Sequence, residues 1–186
     1  MANADVAYGF KPVNRDGSPY NGASLRCVFA AADTVAAFLG DAVKLGGTAI
    51  GGSPTVEQAA AGEDVFGVVT GFEADPDNLA AQYRLASTQR YCQVATADNT
   101  YFQAQADDTL SITSAGLNAD FIVGTGSTVF GTSGMEIDGT TEATTNTLDL
   151  QLVAPVARED NDGTLADADW IVKFNVSQSR PGRTGV

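Results

Sequence analysis

The sequence predicts an all-β chain: an antiparallel β-sandwich or barrel, jelly-roll-like or similar, with an extended N-terminal arm and a C-terminal tail. Gly, Thr, Ser, Asn and Asp interrupt the 186 residues at short, regular intervals, and such turn spacing is what sandwiches and barrels need. Between the turns lie short apolar runs with period-2 alternation, which places alternate side chains on opposite faces of a pleated strand. Helical runs are few and short, below the length at which a helix holds itself together. At this mass roughly 70% of the unfolded chain's surface can be buried, enough for a core without staples.

Residues 1–24 carry Gly, Pro, Asn and turn signals with little periodicity, and read as an arm. Leu25, Cys27 and Phe29 then alternate with Arg26 and Val28, and residues 43–45 are a further short strand. Residues 55–61 tolerate a helix but are too short to demand one. Val65-Phe66-Gly67-Val68-Val69-Thr70-Gly71-Phe72 is a continuous run that fits a strand buried on both faces. Its two glycines predict a bulge or a close backbone approach. Asp77-Asn78 offers a cap for a short helix over residues 79–85. Strands follow at 91–96, 121–123 and 128–130, and Phe102, Ala104 and Ala106 alternate with Tyr101, Gln103 and Gln105. In Leu148-Asp149-Leu150-Gln151-Leu152 the leucines share a face, and in residues 170–176 the even positions form an apolar one. Asp16-Gly17, Asn21-Gly22, Asp138-Gly139 and Asp162-Gly163 are expected to supply the positive-φ positions of tight turns. The division is an arm at 1–24, a β domain at 25–176 and a flexible basic tail at 177–186. No 20–50-residue repeat indicates a solenoid or propeller.

Charge excludes several functions. With 23 acids against 10 bases the chain carries −13, whereas a nucleic-acid or anionic-membrane binder needs a basic footprint. There is no histidine, so Ser-His-Asp and Cys-His pairings, HExxH zinc sites and histidine bases are removed together. Residues 91–157 hold no Lys or Arg and eight acids, while the segment from 173 onward holds Lys173, Arg180 and Arg183 and no acid. A basic tail on an acidic body suits an acidic partner surface, and equally suits plain solvation. Cys27 and Cys92 lie in apolar runs, where a thiol behaves as a small hydrophobe. The opening residues lack a signal-peptide pattern and no apolar stretch reaches a bilayer's width. The expectation is a protein made in a reducing cytoplasm.

Motifs for chemistry are weak. Gly124-Thr125-Gly126-Ser127-Thr128 lacks the third glycine of a dinucleotide fingerprint and reads as a turn. Gly131-Thr132-Ser133-Gly134-Met135 has methionine where a nucleophile elbow needs glycine, and no base to partner the serine. Asp160-Asn161-Asp162-Gly163 resembles part of a calcium loop closing at Asp169, with Arg158 in the first ligand position. A polar loop explains it without metal. The carboxylates Glu63-Asp64, Asp75 with Asp77, and Asp107-Asp108 fit solubilising turns, and Asn175-Val176-Ser177 is a glycosylation sequon without a visible secretory route. No catalytic residue, cofactor or metal is expected. Tyr8, Phe10 and Pro12 of the arm, with Arg180 and Arg183 of the tail, are the candidate partner-binding residues. Such an arm either anchors into a neighbour or folds back on its own domain.

Several strings occur in a familiar order: Ala7-Tyr8-Gly9-Phe10-Lys11-Pro12-Val13, Gly40-Asp41-Ala42-Val43-Lys44-Leu45, and Thr55-Val56-Glu57-Gln58-Ala59-Ala60-Ala61-Gly62 running into residues 65–72. Tyr101-Phe102-Gln103-Ala104-Gln105, Gly116-Leu117-Asn118-Ala119-Asp120 and Gly131-Thr132-Ser133-Gly134 follow. From about residue 7 to 176 the chain resembles the tailed-bacteriophage capsid decoration, or cement, proteins. The resemblance rests on strand and turn signatures and brings no catalytic residues. It implies a β-rich virion protein on the capsid exterior that binds the major capsid protein and copies of itself, as dimer or trimer. Its arms would bridge capsid subunits against internal DNA pressure. A tail-tube or other virion β-protein, and a Ca²⁺-dependent carbohydrate-binding module, stay open beside it.

Overall fold

The computed structural model describes residues 3–76 and 78–180. The chain is all-β: twelve strands and one 3-10 turn, Ile112–Ser114, lie among the described residues. β2 (Leu25–Phe29), β3 (Ala42–Ile50), β4 (Ser53–Gln58), β5 (Gly67–Phe72) and β6 (Arg90–Thr96) close into a barrel in the order β2-β4-β3-β5-β6. Only β2 and β4 meet in parallel, at Val28 and Thr55. β1 (Lys11–Val13), β7 (Tyr101–Gln105), β8 (Asn118–Ala119), β11 (Leu150–Pro155) and β12 (Asp169–Phe174) form an antiparallel sheet in the order β1-β7-β12-β11-β8. β9 (Phe121–Gly124) and β10 (Gly134–Ile137) are a hairpin beside it.

Two cores result. Cys27, Phe29, Val43, Val56, Val69, Cys92 and Val94 fill the barrel. Phe102, Ala104, Leu150, Leu152, Trp170, Val172 and Phe174 form one face of the sheet, which packs on Ala42, Val68 and Ala95 of the barrel's outer wall. Ala42–Val43, Val68–Val69 and Val94–Ala95 are therefore apolar on both faces of β3, β5 and β6, because there each strand separates two cores. The two-sided burial read from residues 65–72 holds for 65–69, while Thr70 is exposed and Phe72 half-buried; both expected roles of the glycines are present. A Cβ on Gly67 would lie 2.3 Å from the Ala95 carbonyl oxygen, while the register of β5 shifts between Val69 and Gly71.

Several local expectations are corrected. Residues 79–85 are not helical, and 55–58 lie in β4. Asp77, half of the expected cap, falls outside the described residues. Residues 128–130 are a turn, and the partner of β9 is β10, four residues further on. Of the four Asp/Asn-Gly turns only Gly17 has positive φ. At Asp138-Gly139 and Asp162-Gly163 the aspartate itself makes the bend: Asp138 Oδ1 accepts from Thr140 N at 3.0 Å and Asp162 Oδ1 from Thr164 N at 3.1 Å, side-chain mimics of a backbone turn.

The first 24 residues do not stand apart. β1 pairs with β7, Lys11 opposite Gln103 and Val13 opposite Tyr101. Phe10 is 1% exposed, its ring 5.1 Å from Phe174 and 5.8 Å from Phe121. At the other end Ser177 bridges to Val65, and Gln178 N donates to the Val65 carbonyl. The start of the expected tail is tied to the barrel.

Candidate functional site

The sheet's outer face is polar and half covered. Alternation that sends Phe102, Ala104 and Trp170 inward sends Gln103, Gln105 and Asp169 outward, yet all three outward side chains are buried. Residues 3–8 cover them as a strap. Gln105 Oε1 accepts from Val6 N at 2.9 Å, and its Nε2 donates to the Ala4 carbonyl at 2.7 Å and the Asp167 carbonyl at 2.9 Å. One amide side chain thus stands in for a neighbouring strand. Asn3 ties down the start of the strap, donating to the carbonyls of Asp162 and Ala166 and accepting from Asp162 N.

Asp169 is the centre of this face. Its Oδ1 accepts from Tyr8 Oη at 2.7 Å, and its Oδ2 from Gln103 Nε2 at 3.0 Å and Arg158 Nη2 at 2.9 Å. Gln103 Nε2 also donates to Tyr8 Oη at 2.8 Å. Burial, with the Asp169 charge beside it, holds the Tyr8 hydroxyl far above the usual phenol range. Tyr8 is therefore a neutral donor. Pro12 sits in edge strand β1, where a missing N–H costs least. The chain then turns back, with Val13 bridging to Pro19 and Asn14 N donating to the Ser18 carbonyl, so this edge is blunted against strand addition.

Beside the strap a cleft of about 900 Å³ runs between sheet and barrel, lined by Tyr8, Pro12, Tyr20, Val69, Arg158 and Asp169 among others. The loop whose sequence resembles part of a calcium site forms its rim. Arg158 Nε pairs with Asp160 at 2.8 Å, and Asn161 donates to the carbonyls of Val156 and Asp169 while accepting from Asp169 N. The guanidinium supplies the positive charge here and the loop oxygens face protein donors. Among the described residues no group of three Cys, Asp or Glu is placed to hold a metal ion.

The remaining candidates are scattered. Arg180 is exposed, near Asp98 and Lys173, and Arg183 lies outside the described residues. Phe10 is in the core, so of the three candidates in the arm, Tyr8, Phe10 and Pro12, it is the one withheld from any neighbour in this conformation. Glu63 pairs with Lys44 at 2.5 Å and Asp107 Oδ1 accepts from Gly139 N.

Three features carried no sequence signal. Arg84 is fully buried and donates to the carbonyls of Thr88, Val35, Ala30 and Asp33 and to the Asp33 carboxylate. Arg90 binds the carbonyls of Glu73, Tyr83 and Ala81. Asp149 receives Gly62 N at 2.9 Å, and burial, offset by that bond and reinforced by Asp120, pushes its carboxyl up to about 6. The partners of these arginines are carbonyls of irregular loops, some near in sequence and some about 50 residues away, which no spacing rule encodes. No helix is long and apolar enough to cross a membrane among the described residues. No protein-family model, no curated protein and no solved structure matches the chain.

Proposed function

We propose that the chain is a non-enzymatic structural protein of a tailed-phage virion, bound outside the capsid and cementing neighbouring subunits. The observation that supports this reading is how the polar groups are used. Asp169, Arg158, Gln103, Gln105 and Tyr8 each hold another part of the same chain, and the buried acid of the cleft, Asp169, is engaged by three donors of that chain. Large apolar side chains, among them Leu79, Val129 and Phe130, lie exposed on loops elsewhere, and contact is what such groups serve. The acidic surface fits a protein that needs solubility and no grip on DNA.

The test is to purify particles on a density gradient and quantify the chain by mass spectrometry. High copy number in fixed ratio to the major capsid protein is the expected result. Partition into tail fractions would replace cementing with the tail-tube alternative, and absence from particles would overturn the virion reading.

A further inference from the structure

Cys27 and Cys92 are buried free thiols, and they stand opposite each other across the seam that closes the barrel. That seam is the antiparallel pairing of β2 with β6, with Leu25 opposite Val94, Cys27 opposite Cys92 and Phe29 opposite Arg90. Both cysteines belong to the cluster that fills the barrel, beside Phe29, Val43, Val56, Val69 and Val94.

The backbone fixes how near the two come. The Tyr91 carbonyl accepts from Glu73 N at 2.9 Å and the Gln93 carbonyl from Thr70 Oγ1 at 3.2 Å, so both face the β5 side. The backbone groups of Cys92, between them, face β2, which makes Cys27 and Cys92 a hydrogen-bonded pair with Cα atoms about 5.5 Å apart. A disulfide spans Cα separations of about 4.4–6.8 Å. On a flat sheet the Cβ atoms of such a pair stand about 5.5 Å apart, wider than the roughly 3.5–4.5 Å of a disulfide. This sheet closes on itself with five strands, and side chains on its concave inner wall converge on the axis. Curvature therefore draws the two Cβ atoms together, in the direction the bond needs.

We propose that Cys27 and Cys92 are a covalent modification site, joined by a disulfide oxidant into an intramolecular bond that locks the seam of the barrel. One thiolate attacks a sulfur of glutathione disulfide, which releases one glutathione and leaves a mixed disulfide. The second thiolate then displaces the other glutathione, and the Cys27–Cys92 bond forms. Two electrons and the two thiol protons pass from the protein to the oxidant, which ends as two thiols. Burial keeps both cysteines protonated in the closed barrel, so the reaction belongs to a chain whose seam is open, during folding or local unfolding. The bond has most to hold at β2. That strand has one paired position with its other neighbour, Val28 opposite Thr55, and five with β6. The segment enclosed contains β3, β4 and β5, and closing a long loop restrains the unfolded chain most.

The full chain is reduced and unfolded in urea, desalted, and refolded by dilution either into mixed reduced and oxidised glutathione or into dithiothreitol. The expected product of the first is a single chain two hydrogens lighter, with a dithiothreitol-sensitive peptide linking Cys27 to Cys92. Its melting temperature should lie about 5–10 °C above that of the thiol form. Cys27→Ala and Cys92→Ala should each abolish the mass loss and bring the two melting temperatures together. Where an alanine variant fails to fold, the linked peptide and the melting temperatures of the parent chain decide. A folded chain recovered with both thiols free, with a lasting glutathione adduct or joined to a second copy overturns the proposal. An internal disulfide that leaves the melting temperature unchanged or lowers it also overturns it, because the bond then strains the seam. None of these outcomes touches the capsid reading, which stands or falls on particle composition.

Discussion

The barrel's loop end and the sheet's outer face solve the same problem with charges of opposite sign. At the loop end Arg84 gathers four carbonyls and one carboxylate from segments 30–35 and 84–88. On the sheet Asp169 gathers a phenol, an amide and a guanidinium from the strap, from β7 and from the loop at 158. Loops without regular pairing leave carbonyls over, so a five-donor fork suits them. A strap crossing a sheet edge-on brings donors, so a carboxylate suits that. Arg84 answers backbone carbonyls that irregular loops leave unpaired, whereas Asp169 answers side-chain donors brought together by the strap, β7 and the loop at 158.

That comparison can be broken experimentally. Arg84→Met leaves the Asp33 carboxylate without its partner and four carbonyls short of a donor, and should cost about 3–5 kcal/mol in a urea titration. A loss under about 1 kcal/mol would mean water replaces the guanidinium, a range typical of exposed pairs. Phe10→Ala should cost about 3–5 kcal/mol through the cavity it leaves among Phe121 and Phe174. Asp169→Asn should cost less, about 1–3 kcal/mol, because an amide still accepts from Tyr8. Its signature is local: limited proteolysis should cut within residues 3–8 faster while the barrel keeps its melting point. Arg84 and Asp169 share no partner, so the double variant should be additive within about 0.5 kcal/mol. Coupling beyond that would merge the two regions into one network.

Smaller effects sharpen the picture. Asp149 has its folded pKa raised from 3.8 to about 6, so the native chain holds the extra proton between those values. The associated stability is complete below 3.8 and lost as pH rises through about 6, the sign that linkage gives for a raised acid. The melting temperature of the parent chain minus that of Asp149→Asn should therefore fall across that window, and a flat difference would show that Asp149 titrates normally. Smallest is the thiol chemistry. Burial pushes Cys27 up to about 11 and, with Cys27 beside it, Cys92 beyond the ordinary thiol range. Both should resist alkylation at pH 8 until the barrel unfolds. Rapid native labelling would mean that the barrel opens locally.

Sequence pattern reached the cores better than it reached the site. Period-2 runs such as Trp170, Val172 and Phe174 are legible because burial acts on each residue in turn. Residues 128–130 looked like a strand because Val129 and Phe130 have β-favouring side chains, yet they are an exposed tip. Propensity registers the side chain and is blind to the hairpin register that places β10 later. Tyr8 and Phe10 stand outside any clear strand pattern in the sequence, and whether the arm turned inward depended on β7, far along the chain. Gln103 and Gln105 read as the wet side of a strand, since nothing local announces that residues 3–8 will cover them.

The pairing of β1 with β7 also sets a schedule for synthesis. Lys11 meets Gln103, so roughly 90 residues must follow before the first strand has a partner, about 5–20 s of elongation. Through that interval Phe10 has no core to enter, and the barrel strands, all encoded before residue 97, are made first. The nascent chain thus carries an aromatic hook beside a barrel already complete in sequence. A pause placed before residue 101 should lengthen the period in which that hook is open to chaperones or to a neighbouring nascent chain.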